Sequence, residues 1–236
     1  MLSRHLFNRL VPCILCDETH ESDQRICTTC LNDTLASDIR QTPMDLSVHP
    51  HALHTMSLDK LSAVYVPFIY QWPVDMLISQ YKYHASFDRS AVLLSLLKPV
   101  LGQIDFSQFN AIACVPNHPE RTIKRGFNQL DYLTCFLAHQ YQIPMVSSAI
   151  IRSKMTLKQA GLTAYKRRKN MSGAFAVERI SAVENRHVLL IDDVITTGTT
   201  LSELAQTLLN QGVKRVSAFA LAWAKYEGEH DNIHIE

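Results

Sequence analysis

Residues 187–200, HVLLIDDVITTGTT, constrain the fold of this chain more than any other stretch. The four apolar residues 188–191 suit a strand buried on both faces. Two adjacent carboxylates follow, Asp192 and Asp193, and should close the strand. After Val194 and Ile195 comes a small polar loop, Thr196, Thr197, Gly198, Thr199 and Thr200. Leu201, Leu204, Ala205, Leu208 and Leu209 then recur at helical spacing until Gly212, where a helix should stop. Residues 213–223 return as a strand. This strand–loop–helix–strand order predicts a parallel sheet with the loop at a helix N-terminus.

The loop's chemistry follows from that placement. First-turn backbone N–H groups lack intrahelical partners, and the helix dipole puts partial positive charge there. Gly198 would let the backbone approach a ligand, and the threonine hydroxyls add donors, so the loop reads as a phosphate cradle. Asp192 and Asp193 repel phosphate but accept hydrogen bonds from sugar hydroxyls, each on the order of 1.5–3 kcal/mol because one partner is charged. Together these features describe a ribose-5-phosphate site at the carboxyl end of a strand, where open α/β sheets gather ligands. No lysine follows Gly198, so the nucleotide P-loop pattern is absent. The plainer alternative is an Asp-rich turn followed by a threonine helix cap. The string resembles the diphosphate-sugar motif of type I phosphoribosyltransferases. That resemblance implies that Asp192 and Asp193 hold ribose hydroxyls, directly or through Mg²⁺, as the catalytic pair. It also implies that Thr196 to Thr200 bind the 5-phosphate, and that the ligand is phosphoribosyl diphosphate (PRPP).

Four of the six cysteines form two CxxC knuckles, Cys13 with Cys16 and Cys27 with Cys30. Two such knuckles complete a tetrahedral Cys₄ shell with no open position, which reads as structural zinc. Unrelated CxxC pairs or a redox dithiol are the alternatives. Cys114 and Cys135 read as core residues, and His20 as a solvated loop residue. The expected organisation is a zinc module at residues 1–35, an irregular connecting segment at 36–60, and a phosphoribosyltransferase-like domain at 61–236. His49, His51 and His54 fall in the connector and read as solvated. The fold class is therefore α/β: a parallel sheet preceded by a small Cys₄ module. The N-terminus carries no convincing signal peptide and no window suits a membrane helix, so a cytoplasmic protein without membrane insertion is expected.

A second strand–helix–strand unit should run through residues 109–151. Its strand is 109–115, its loop holds Pro116, Asn117 and Pro119, its helix carries Leu130, Leu133, Phe136, Leu137 and Tyr141, and its return strand is 146–151. Residues 152–169 then gather Arg152, Lys154, Lys158, Lys166, Arg167, Arg168 and Lys169, with no acid anywhere between Asp131 and Glu178. A chain of net charge +1 has concentrated its positive charge in one segment, suited to a diphosphate or a nucleic-acid backbone.

The Cys₄ knuckles, VPNHPERTIKRGFNQ at 115–129, the basic segment leading to Gly173–Phe175, and LLIDDVITTGTT together resemble the ComF family of competence-associated proteins. RGFNQ is the most diagnostic of these pieces. The resemblance implies a part in natural transformation or the use of incoming DNA, by handling single strands. By position it implies that Val115, Pro116 and Asn117 meet the diphosphate, with Arg121 and Arg125 beside them. Lys154, Arg167 and Arg168 would close over the pocket and contact diphosphate or DNA. Other competence proteins are candidate partners. Aromatics interleave with the basic residues (Phe127, Tyr132, Tyr165 and Phe175), as in single-strand binding surfaces, although Phe127 and Phe175 serve equally as core residues. Two other functions fit the same residues, a true phosphoribosyltransferase acting on an unidentified base and a non-catalytic PRPP-sensing adaptor.

Overall fold

In the computed structural model, residues 10–21, 25–36, 43–83, 87–117, 128–154 and 171–225 are described. The elements are β1 (Leu10–Pro12), β2 (Thr19–Glu21), α1 (Thr28–Ala36), β3 (Met44–Asp45), α2 (Pro50–Thr55), β4 (Val64–Val66) and β5 (Phe68–Ile69). There follow α3 (Val74–Tyr83), α4 (Phe87–Leu101), β6 (Ala111–Cys114), α5 (Gln129–Gln140), β7 (Ile150–Arg152), β8 (Phe175–Val177), β9 (His187–Ile195), α6 (Thr199–Asn210) and β10 (Arg215–Trp223).

The expected parallel sheet forms with β9 and β10 at its centre. The strand order is β3-β4-β10-β9-β6, with β5 also on β10, and every pairing is parallel except β3 with β4. β4 and β5 keep one register along β10, Val64 opposite Ala218 and Phe68 opposite Ala222. They are one strand interrupted at Pro67, which has no N–H to give to a ladder. Both faces of the sheet are covered. Val188 and Leu190 pack with Leu201, Leu204, Ala205 and Leu208 of α6 on one side. Leu189 and Ile191 pack with α3, α4 and α5 on the other. That two-sided burial explains why residues 188–191 are a continuous apolar run. The α6 helix ends at Asn210 as the leucine spacing predicts, and Gly212 takes φ +80° just past it.

Three expectations are corrected. The return strand proposed at 146–151 meets the main sheet only at its start, where Met145 bridges Ile112 of β6 in parallel and Val146 N–H donates to the Ile112 carbonyl at 2.8 Å. Residues 147–149 form a 3-10 turn, and β7 pairs antiparallel with β8 in a separate two-stranded sheet. A hydrophobic run shows that a segment is buried but does not name the strand it will pair with. Residues 43–58 are also more than an irregular connector. β3 adds an antiparallel edge to β4, and Leu46, Ala52 and Leu58 are buried in the same core as α6. These elements are too short to leave a periodicity. Finally, Cys135 is exposed on α5 rather than in the core, whereas Cys114 is buried in β6. Among the described residues, no helix is long and apolar enough to cross a membrane.

Candidate functional site

The cysteine cluster forms at the N-terminal hairpin. β1 and β2 pair antiparallel around the first knuckle, and the second knuckle leads into α1. The Sγ atoms of Cys13, Cys16, Cys27 and Cys30 all lie within 4.8 Å of one another, and Cys16 and Cys27 are 3.9 Å apart. A tetrahedral ion with Zn–S bonds of about 2.3 Å requires sulfur separations of about 3.8 Å, so the donor set fits zinc. The backbone is already shaped for thiolates, with the N–H groups of Cys27 and Leu15 pointing at Cys13 Sγ at 3.4 and 3.5 Å. Burial opposes ionisation of Cys13, but these N–H donors and that of Cys16 outweigh it and bring the thiol down to about 7. Burial and the three neighbouring thiols push Cys30 the other way. Four crowded sulfurs cannot all ionise by themselves, and a divalent cation removes that conflict. The module is docked rather than separate, since Cys13, Ile26 and Cys30 share a core with Val74, Leu77 and Ile78 of α3. Gln80 Nε2 also donates to the Ile14 carbonyl at 3.3 Å.

The second centre lies at the carboxyl end of β9. Asp192 and Asp193 are half-buried and belong to the strand, which runs on to Ile195 in register with Trp223 of β10. They therefore do not close the strand as expected. Asp193 N–H donates to Asp192 Oδ1 at 2.8 Å, and Val194 N–H to Asp193 Oδ1 at 2.6 Å. Asp193 faces the α3/α5 side. There, burial first, and then the nearby Tyr132, Asp193 and Asp131, push the Tyr81 phenol well above its ordinary value.

The threonine loop follows at once. Gly198 has φ +71° and is the N-cap of α6, so the first-turn N–H groups of that helix open beside the carboxylates. The need for glycine comes from two sources. The left-handed backbone disfavours a side chain, and a Cβ there would meet Leu58 Cδ2 at 2.6 Å and the Ser57 carbonyl at 2.8 Å. The close approach is thus to the residue 57–58 turn, where the sequence suggested a ligand. Ser57 N–H donates to the Thr197 carbonyl at 2.9 Å and holds that turn in place. Thr197 and Thr199 hydroxyls pair with each other at 2.9 Å, Thr199 is buried, and Thr196 is exposed.

β6 brings a third piece alongside. Cys114 lies opposite Ile191, and Val115 N–H donates to the Ile191 carbonyl at 2.9 Å, so Val115, Pro116 and Asn117 lie next to the carboxylates. Beneath them is a polar network that sequence reasoning missed. Cys114 Sγ donates to Asp131 Oδ1 at 3.1 Å, Cys114 N–H donates to Ser147 Oγ at 3.0 Å, and Asn128 bridges to Asn117 at 2.9 Å. Asn128 stands inside RGFNQ, so the signal was present, but its partners come from a different strand.

The remaining expected residues divide. Arg121, Arg125, Arg167 and Arg168 lie outside the described residues, as do Phe127 and Tyr165. Lys154 is exposed at the neck of the basic segment, donating from Nζ to the Ser172 carbonyl at 3.1 Å. β7 and β8 form that neck, and Gly173 N–H donates to Glu203 Oε1 of α6 at 2.7 Å. Phe175 is buried with the Arg152 guanidinium 5.6 Å from its ring centre, so it is a core residue; Tyr132 is exposed. His49 is not a solvated loop residue, since its ring meets that of Trp223 at 5.1 Å, with His51 at 5.9 Å.

Residues 107–235 match the model of the phosphoribosyl transferase domain. "Competence protein F" of Haemophilus influenzae is 35% identical over 158 residues, covering 64% of this chain and 69% of that protein. "DNA utilization protein YhgH" of Escherichia coli O157:H7 is 34% identical over 159 residues, covering 64% and 68%. "Competence protein ComFC" of Streptococcus pneumoniae is 26% identical, covering 65% of each. Among solved structures, glutamine PRPP amidotransferase from B. subtilis aligns with a TM-score of 0.39 at 17% identity, over 61% of this chain and 30% of that one. More than half of the chain matches the domain model, and the Haemophilus influenzae and Escherichia coli O157:H7 relatives align over more than two thirds of their own length. The chain belongs to the ComF family, with a phosphoribosyl transferase domain behind a cysteine cluster that could hold a metal.

Proposed function

We propose that this protein binds PRPP at the carboxyl end of β9 and works in the cytoplasm in the use of incoming DNA, handling single strands through its basic segment. The observation that carries the reading is the meeting of Asp192 and Asp193 with the open N-terminus of α6 and the 115–117 loop. In this reading the carboxylates hold the ribose hydroxyls and the 196–200 loop takes the 5-phosphate, because N–H donors and partial positive charge meet the anion there. Asp192 and Asp193 would also hold Mg²⁺, which when bound offsets the charge of the diphosphate. The relatives are named for competence and DNA utilization, which supports the DNA role. Arg121, Arg125, Lys154, Arg167 and Arg168 would supply phosphate contacts, and other competence proteins would be partners.

Family membership favours a second reading, in which diphosphate is displaced from C1 of the sugar by a nucleobase nitrogen. Asp193 would then favour positive charge developing on the ribose ring.

The deciding experiment combines calorimetry with Mg²⁺ and PRPP, single-strand binding over a salt series, and diphosphate release with a panel of nucleobases. PRPP should bind, and strand affinity should fall steeply with salt. Replacing Arg167 and Arg168 by alanine should flatten the log–log slope by about 1.4, at about 0.7 per phosphate contact. Salt-independent or undetectable strand binding refutes the DNA role. Diphosphate release that stops in Asp193→Asn establishes transfer, whereas PRPP binding with neither release nor strand binding identifies a sensor.

A further inference from the structure

The 115–117 loop is held by a single carboxamide. Asn128 Oδ1 accepts from Leu130 N–H at 3.2 Å, which caps α5, and from Asn117 Nδ2 at 2.9 Å. Its Nδ2 donates to the Val115 carbonyl at 3.2 Å and towards Cys114 Sγ at 3.3 Å. A helix cap needs only the acceptor, which serine, threonine or aspartate supplies as well. The donor half has no part in capping. It is directed entirely at the end of β6 and the loop that follows.

The surroundings make this a fixed point. Val115 N–H is anchored to the Ile191 carbonyl on the other side, at 2.9 Å. Cys114 is buried beneath, and burial, reinforced by Asp131, pushes its thiol up to about 12, so it stays protonated and donates to Asp131 Oδ1 at 3.1 Å. The strand that carries the loop is thus tied to α5 through Asn128 and Asp131, and to the 147–149 turn through Ser147 at 3.0 Å.

We propose that Asn128 is a positioning residue: its carboxamide clasps the 115–117 loop to the cap of α5 and holds the loop's backbone, beside Asp192 and Asp193, in the arrangement that receives a diphosphate. The proposal rests on the PRPP reading above for its ligand. A loop ordered before binding does not have to be ordered by the ligand, and that saving appears as affinity.

The test uses the full zinc-loaded chain with Asn128→Ser and Asn128→Ala, measuring melting temperature, PRPP affinity with Mg²⁺, and amide hydrogen exchange at Val115 and Asn117. Serine keeps the cap acceptor and loses the carboxamide Nδ2 that reaches the Val115 carbonyl. Asn128→Ser should melt closer to wild type than Asn128→Ala does, since its cap is retained. It should bind PRPP roughly tenfold more weakly, the scale of one or two lost neutral hydrogen bonds. Its loop amides should exchange faster. Asn128→Ala should show the same loss of affinity and melt several degrees lower. Wild-type affinity and exchange in Asn128→Ser overturns the proposal, and so does a melting loss as large as that of alanine, which would make the residue merely structural. If wild type fails to bind PRPP, the proposed ligand is wrong; unchanged loop exchange in Asn128→Ser would then overturn the clasp independently, and faster exchange would uphold it.

Discussion

Gly198→Ala should damage this protein more than an exposed loop substitution would. Gly198 is buried, with φ +71°, in the left-handed region that costs an L-residue about 1–2 kcal/mol. Its new methyl would sit 2.6 Å from Leu58 Cδ2 and 2.8 Å from the Ser57 carbonyl oxygen. Leucine can rotate away, but the carbonyl belongs to a turn whose N–H is bonded to Thr197 at 2.9 Å, so it cannot retreat without breaking that contact. Overpacking of this kind adds about 1–3 kcal/mol, for a total of about 2–5 kcal/mol against a typical stability of about 5–15 kcal/mol. For a chain of this length that is a fall in melting temperature of roughly 4–20 °C. Urea denaturation of Gly198→Ala, Leu58→Ala and the double variant measures it. The double variant should recover part of the loss through coupling, because the contact to Leu58 is relieved and the one to Ser57 is not. A Gly198→Ala change below about 0.5 kcal/mol would refute the reasoning, since that is the range of an unconstrained surface site.

Two further outcomes are expected. The protein should hold one zinc ion through its four cysteines, and Cys27→Ser should lose it and melt several degrees lower, because the module shares a core with α3. Elemental analysis with chelation checks this, and a metal-free chain of unchanged stability would contradict it. Burial, followed by Arg215, lowers the His187 pKa below the usual imidazole value, and its Nε2 is 2.9 Å from Ser217 Oγ. Below about pH 6.5 the unfolded chain takes up a proton that the folded chain refuses, so stability should fall with acidification from about pH 6.5 down to the folded value. His187→Gln should remove that component from urea midpoints measured over pH, and an unchanged slope would count against it.

Much of the central unit was legible in the sequence. Residues 188–191 announce a strand covered on both faces, the leucines after Thr200 announce α6, and Gly212 announces its end, because each signal is local and repeats with the period of its element. The cysteine spacing was equally legible, since two knuckles bring four sulfurs to within 4.8 Å of one another. The fate of residues 146–151 was not. Their apolar character is the same whether they pair with β6 or with β8; Val146 bonds to β6, and the chain then turns so that Ile150 and Ile151 pair with β8.

The site shows the same division. Asp192, Asp193 and the threonine loop are contiguous in the chain, so their chemistry could be read as a string. The reason Gly198 must be glycine could not, because half of it lies in Ser57 and Leu58, some 140 residues earlier in the chain. Asn128 was visible inside RGFNQ, but its partners Val115 and Asn117 reach it only once β6 and α5 are packed. The sequence alone determined which chemical groups are present and in what local order. Tertiary structure decided which distant backbone they must fit against, because steric exclusion and hydrogen-bond pairing act between neighbours in space.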